Sequence, residues 1–404
     1  MKKLCGVLLI LIVFSTTLLF PNISVVRCEA EDKSYLLKST VKYSNPASFS
    51  QVWDFTQRED DRTISLFMNS TWQTVELVNS TFSVEREDYD EDGNAVALLQ
   101  FSNSELSPGN NLSFTVWYQI TAKPRTIPNI SESLSDNLSD IPQSLVPAYT
   151  REEGPWQTSN PTLQQLAHNL SGSETNVLTI VKNFIVWING HVSYPTARHE
   201  NPYYPIETYT RREGDCDDQA MLLITLCRIL GIPSYLQIGC IYLPNNFDND
   251  TFWNDHVFLT EKNIGWHGWA IVYIPPWGWL PVDLTYVLGS GGIPADPLNA
   301  IKHGAITIQN TIQYMNVTHT DYVASSLESR TFLTSNGFLV FSEDEMIEGT
   351  ASASSSSSTV AFEPWVPLAS AVVVVSAVVV SFLVFRHLRK RRGEAVPTPP
   401  ENLQ

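Results

Sequence analysis

Between residues 31 and 122 apolar and polar positions alternate in short runs: LLKSTVKY (36–43), WQTVELV (72–78), AVALLQF (95–101) and LSFTVWYQIT (112–121). Alternation with a period of two, rich in β-branched and aromatic residues, predicts half-buried strands. Asp92-Gly93 and Pro108-Gly109 supply turns between them. Helical periodicity is absent, so residues 31–122 are expected to form an all-β sandwich domain. Residues 123–154 turn to Pro, Ser, Asn and Asp and read as a linker.

The period then changes. Asn160-Pro161 offers an N-cap and a proline at the first helical position, opening a helix to about Asn169. Ser173-Glu174 opens a second helix, with Val177, Ile180, Val181, Phe184, Ile185 and Ile188 on one face and Gly190 at its end. A third begins at Cys216 and turns Ala220, Leu223, Leu226 and Leu230 inward; Gly231 and Pro233 stop it. Strand patterns follow in YLQIGCIYL (235–243), GWAIVYI (268–274) and GWLPVDLTY (278–286). Helices first and strands afterwards predict an α+β domain over residues 155–348, with 300–348 completing it or adding strands.

Both ends carry longer apolar runs. Met1-Lys2-Lys3 before the apolar residues 4–20 has the charge order of a secretory signal, expected over residues 1–30. Residues 368–385 hold no charge and lead into Arg386-His387-Leu388-Arg389-Lys390-Arg391-Arg392. A hydrocarbon core about 30 Å thick needs ~20 apolar residues, so a transmembrane helix is expected over 367–386. The basic tail, 387–404, belongs on the cytoplasmic side. Residues 349–366, with their serine run and Trp365, then form a stalk, and the bulk of the chain lies outside as a type I membrane protein. Eight Asn-x-Ser/Thr sequons in that portion agree, at Asn69, Asn79, Asn111, Asn129, Asn137, Asn169, Asn249 and Asn316.

Charge narrows the partners. The chain carries a formal net charge of −17, and residues 31–366 hold 17 bases against 39 acids, a net of −22. Such a surface repels phosphate backbones, so no nucleic acid partner is expected. No cofactor is called for. Asp88-Tyr89-Asp90-Glu91-Asp92-Gly93 imitates the start of a calcium loop, but Leu99 stands where the bidentate Glu belongs. It reads as an acidic hairpin, so no metal site is expected.

The candidate chemistry centres on Cys216 in EGDCDDQAMLLITLCRILGIP. Asp215 sits where an N-cap belongs, and Asp218 three residues on can complete a capping box. Cys216 in a helix's first turn faces unpaired amides that favour a thiolate. Asp215, Asp217 and Asp218 oppose it, so a cationic imidazole is needed. His267, in WHGWAIVYIPPWGWLPVDLTY, starts a strand; a Pro-Pro-Trp-Gly turn returns the chain to Asp283. Adjacent antiparallel strands would bring His267 and Asp283 side by side, the carboxylate fixing the imidazole's tautomer. His256, the rival base, lacks this frame and reads as a polar contact on a loop or strand. Cys227 lies too far along the helix from Cys216 to bridge it; Cys227 and Cys240 read as core thiols, with a bridge between those two left open. Trp253, Trp266, Trp269, Trp277 and Trp279 read mostly as core, with one or two free to line a substrate groove.

GDCDDQAMLLITLCRILGIPSYLQIG followed by HGWAIVYIPPWGWLPVDLTY resembles the transglutaminase-like fold of papain-like cysteine enzymes over roughly residues 155–290. The resemblance implies Cys216 as nucleophile, His267 as base and Asp283 as orienting acid. It also implies a protein or peptide substrate attacked at an amide bond, with transfer to an amine or to water. The reading from the sequence is a cell-surface thiol enzyme of α+β fold, a transglutaminase-like core behind an all-β sandwich. The alternative is a surface binding or adhesion module that keeps the fold without catalysis, which the acids flanking Cys216 favour.

Overall fold

The computed structural model describes residues 31–46, 51–196, 199–287 and 295–349. The expected signal segment, stalk, transmembrane span and basic tail lie outside the described residues. Among the described residues no helix is long and apolar enough to cross a membrane.

The front half is all strand: β1 (Lys33–Ser44), β2 (Trp53–Asp54), β3 (Thr63–Ser65), β4 (Gln73–Ser80), β5 (Val84–Tyr89), β6 (Ala95–Leu99), β7 (Glu105–Leu106) and β8 (Asn111–Ala122). Every second residue of β1 from Tyr35 to Tyr43 is buried, as the alternation requires. Helices follow: α1 (Val146–Tyr149), α2 (Pro161–Ser171), α3 (Val177–His191), α4 (Pro205–Arg211) and α5 (Cys216–Ile229). The rear half is β9 (Ser234–Phe252), β10 (Val257–Ile274), β11 (Gly278–Val282), α6 (Asn299–Lys302), β12 (Thr311–Val317), α7 (Tyr322–Asn336) and β13 (Leu339–Glu348).

Local signals account for most helix ends. The Asn160 side chain accepts the amides of Thr162 and Leu163, starting α2 where Pro161 fixes φ. Helix α3 starts three residues later than the Ser173-Glu174 signal, because Asn176 takes the cap through the Thr179 amide. Glu174 instead accepts the amides of Thr175 and Asn176 and holds the turn before the cap.

The front strands do not stand apart as a separate sandwich. One eight-stranded sheet runs β12-β9-β10-β13-β1-β8-β4, with β11 beside β10. The last described strand, β13, lies between the halves, parallel to β10 and antiparallel to β1. No division falls between front and rear. Residues 300–348 therefore complete the sheet rather than extend one domain. The smaller β3-β6-β5 sheet covers the front portion, where Phe67 packs on Tyr118, Tyr314 and Trp266 at centroid distances of 4.7–6.4 Å. Trp53 of β2 stacks on Phe338, 4.6 Å away, in the turn entering β13.

The stretch 123–154, expected as a linker, is packed rather than loose. Ile130 and Ile141 are buried, and the Arg125 guanidinium donates to the carbonyls of Ile306 and Thr311. Its Pro and Ser content removes regular hydrogen bonding without removing burial. The acidic segment 88–93 closes the β5–β6 hairpin: Asp90 accepts the amides of Asp92 and Asn94, and Asp92 accepts those of Thr318 and His319. Cys216, Cys227 and Cys240 are all buried free thiols.

Because β1 and β13 share one core, Leu37→Ala should cost about 2–5 kcal/mol. Leu37 is 1% exposed and sits opposite Met346. In residues 31–349, urea curves from tryptophan fluorescence and far-UV circular dichroism should coincide and shift together. Two separated steps, only one of them moved, would show that the front strands fold alone.

Candidate active site

Helix α5 begins at Cys216 because Asp215 breaks the preceding chain into an extended conformation and Asp218 reaches back to its amide at 3.2 Å. Three of its four first residues are polar yet buried, so the helix start is inserted into the molecule rather than laid on its surface. Cys216 itself is 3% exposed.

Strand β10 meets this helix start at Gly268. A Cβ at Gly268 would lie 3.1 Å from Cβ of Asp217 and 3.4 Å from its Cα, so glycine permits the close approach. The Gly268 amide faces the Cys216 sulfur, which itself lies 3.8 Å from Oδ1 of Asp217. His267, one residue earlier, is 1% exposed, and its Nε2 lies 2.8 Å from Oδ2 of Asp283.

The hairpin that returns to Asp283 pairs Ala270 with Val282 and Ile274 with Gly278. Asp283 follows the last paired residue and is fully buried. Its Oδ1 accepts the amides of Thr285 and Tyr286, and its Oδ2 accepts the Ala305 amide besides the imidazole. A carboxylate so held is an acceptor, so Nε2 of His267 carries the proton and Nδ1 is left as the basic nitrogen. Nδ1 is buried without a hydrogen-bond partner. The structure thus brings His267 and Asp283 into direct contact and places Cys216 against the residue that follows His267.

Sequence reasoning missed the cradle around Asp283. Its amide donates to the Ala300 carbonyl in α6, and a Cβ at Gly304 would lie 2.7 Å from Cβ of Asp283. Gly304 in an otherwise unassigned stretch was the one available signal, since glycine often marks close approach. Tyr286 was also unassigned; its ring centroid is 6.0 Å from that of His267, and burial, then Asp283, raises its hydroxyl's pKa. His256 is elsewhere, with Nδ1 2.8 Å from the Phe338 carbonyl at the β10–β13 junction. Trp253, Trp266 and Trp269 are core; Trp277 and Trp279 are half-buried, Trp279 packing against Tyr149, Tyr235 and Tyr273.

The electrostatics follow the opposition expected from the flanking acids, with burial adding more. Burial first, then Asp215 and Asp217, push the Cys216 thiol well above its ordinary range, while the Gly268 amide pulls it down. Burial likewise raises Asp215, with Asp217 and Asp218 adding to it. Desolvation penalises every anion here, and the helix start does not outweigh three carboxyl groups. Asp217→Asn should therefore raise the thiolate fraction near neutral pH, about tenfold for each unit the thiol pKa falls. Initial rates of Cys216 alkylation, read by peptide mass spectrometry, check this; an unchanged or slower rate would mean that Asp217 does not act on the sulfur.

Residues 164–284 match the family model described as the transglutaminase-like superfamily, a span that contains Cys216, His267 and Asp283. No curated protein matches the chain. Among solved structures it is similar to a candidate cysteine protease from Cytophaga hutchinsonii at 16% identity, covering 83% of this chain and 96% of that one, with a TM-score of 0.48. It is also similar to the periplasmic domain of TgpA from Pseudomonas aeruginosa at 14% identity, covering 66% and 90%, with a TM-score of 0.29. The chain thus carries a transglutaminase-like superfamily domain over residues 164–284.

Proposed function

We propose that the protein is a thiol enzyme that opens amide or peptide bonds through Cys216, His267 and Asp283. The observation that carries this reading is the His267 ring: Nε2 bound to Asp283 at 2.8 Å and Nδ1 buried with no partner. A buried nitrogen left unsatisfied costs free energy, and a proton arriving from the thiol would satisfy it. In the reaction, Nδ1 takes the proton of the Cys216 thiol as the sulfur attacks a carboxamide or peptide carbonyl. In this reading the amides of the first α5 turn and of Gly268, which faces the sulfur, donate to the oxyanion as it develops. The imidazolium, stabilised by Asp283, protonates the departing amine and leaves a thioester. Water then gives an acid; a primary amine gives a new amide.

The raised thiol pKa shapes the mechanism. The resting enzyme holds a neutral thiol, so proton transfer accompanies attack instead of preceding it. The same feature favours the second reading, a surface binding or adhesion module in which Cys216 is an inert core thiol. Activity on a mixture of glutamine-bearing peptides, with and without a lysine analogue, separates the two by mass spectrometry. Cys216→Ala and His267→Ala should each lower turnover by about 10³-fold or more, the scale of triad removal. Asp283→Asn should lower it as well and reduce stability, because an amide NH2 in place of an acceptor oxygen would oppose backbone donors. Turnover surviving Cys216→Ala sinks the enzyme reading.

We place this chemistry outside the cell, on a type I anchor at residues 367–386. The uncharged run and the basic cluster after it support that reading, as do the sequons. Seven of the eight sequon asparagines are exposed; Asn316 is half-buried in β12, with Oδ1 accepting from Gln237 at 2.8 Å. Expressed through a eukaryotic secretory route, the chain should carry glycans among the seven and none at Asn316. Site mapping after deglycosylation checks this, and a chain wholly unmodified would count against the outward orientation.

A further inference from the structure

Beside the thiol lies a histidine that the proposed reaction does not use. The His199 side chain is mostly buried, and its two ring nitrogens both meet acceptors. Nδ1 lies 2.6 Å from the Asn201 carbonyl, and Nε2 lies 2.8 Å from Oδ2 of Asp218. A neutral imidazole has one N–H to give, so serving both acceptors takes a second proton. The ring is therefore an imidazolium in an ion pair with Asp218. His267 is the contrast, because its single proton goes to Asp283 and its Nδ1 has no partner. Asp218 also accepts the amides of Asp215 at 3.2 Å and Tyr203 at 2.7 Å. One carboxylate thus joins the first turn of α5 to residues 199–204 before α4. The Tyr203 ring closes the arrangement by stacking on His199, with centroids 4.1 Å apart.

We propose that His199 is a positioning residue acting through Asp218: its imidazolium latches residues 199–204 onto the turn that carries Cys216, and the latch releases when the ring loses its proton. Deprotonation leaves the Nε2 lone pair facing a carboxylate oxygen at 2.8 Å, so an attraction becomes a repulsion. The groups around the ring favour the cation. Asp218 is paired with it, Oδ2 of Asp215 lies 3.4 Å away, and Asp217 adds its charge. Asp215 and Asp217 are hydrogen-bonded to each other, which leaves Asp218 as the direct partner. From α7, Tyr322 is hydrogen-bonded to Asp217 and Arg330 is taken by Glu200; from α4, Arg211 lies over the Tyr203 ring. Burial lowers the imidazole's pKa, yet Asp218 outweighs it and the net direction is upward. Stabilisation from a histidine raised in this way is fully present below its unfolded value, about 6.5. It is lost as pH rises through the folded value. Burial pushes Asp218 up to about 6, so the pair carries both charges from there until His199 titrates. The latch supports the nucleophile's helix start and takes no part in bond making, so it stands whether or not the thiol reacts.

Hydrogen exchange at the imidazole C2 position, read by peptide mass spectrometry on the full-length chain, gives the titration of His199 directly. It should lie above about 6.5 in the parent and fall back towards that value in Asp218→Asn. Backbone amide exchange, corrected for its intrinsic pH dependence, reports the latch in peptides covering residues 199–204 and 215–218. Protection there should drop about tenfold or more as pH rises through the His199 titration, the factor that one pKa unit of coupling implies. His199→Gln keeps a donor towards Asp218 but has no proton to lose, so its protection should stay level across the same range. A titration at or below 6.5 in the parent overturns the proposal, and that measurement needs no variant to fold. Parent protection that is level across the titration overturns it as well. So does protection that falls in His199→Gln as it does in the parent, because another group would then be the one titrating.

Discussion

Strand β10 is the constraint on which the rest of the molecule depends. Buried backbone amides and carbonyls need partners on both edges of a strand, and β10 finds them in three places. Val257 to Val272 pair with β9, the N-terminal third with β13 and the C-terminal end with β11. The first junction carries the sheet forward through β13 to β1. The last begins the hairpin that returns to Asp283. His267 and Gly268 lie between them, in the segment fixed only by β9, with a register shift at Lys262/Ile264 just before. A bulge increases local twist and re-aims side chains. The sheet is thereby bent where the helix start must meet it, and Gly268 removes the side chain that would hold α5 away.

Burial is the second organising term, and at the helix start it works against charge. Asp215, Cys216, Asp217 and Asp218 are all buried in one turn. A helix N-terminus favours anions by about 0.3–1 kcal/mol in exposed settings and more when partly buried. Desolvation of several acids in one place exceeds that. Asp218 meets it with the amides of Asp215 and Tyr203 and with His199, and its pKa still rises to about 6. Asp215 has fewer partners and is pushed well up. The two acids therefore respond differently to one environment, and the difference is the number of donors each receives.

Much of the site was legible in the sequence because its determinants are local. Asp215 and Asp218 announce a helix start, Gly231 announces its end, and the residues from His267 to Asp283 span one tight hairpin. Segments such as YLQIGCIYL and GWAIVYI fall inside longer strands, β9 and β10, whose extra length depends on pairing and leaves no local pattern. What was not legible is non-local. Parallel pairing of β10 with β13 joins residues about eighty positions apart, and nothing in either strand's alternation names its neighbour. The front strands were therefore read as a closed sandwich when their β1 edge is in fact paired. Residues 123–154 show the converse error. Composition signalled loop correctly, but loop does not mean unpacked, and Ile130, Ile141 and Arg125 tie it down. Gly304 and Ala305, which enclose Asp283, carry no motif at all.

The buried neutral thiol and the partnerless Nδ1 of His267 are best understood together. A thiolate already formed would sit beside Asp215 and Asp217 with only the Gly268 amide and the helix start in its favour. A neutral thiol avoids that repulsion, and the repulsion returns only when the proton leaves. In the proposed reaction the proton leaves toward Nδ1, and the imidazolium then supplies the positive charge that the resting site lacks. The negative charge moves at the same time from sulfur onto the substrate oxygen, away from Asp217. Carboxylates that oppose a resting thiolate therefore need not oppose attack, since they disfavour the one anionic state that a concerted transfer bypasses. An inert core thiol would have the same high pKa, but no proton from it would reach the basic nitrogen held in place by Asp283. In the proposed reaction that nitrogen, more than the cysteine, is the group on which the chemistry turns.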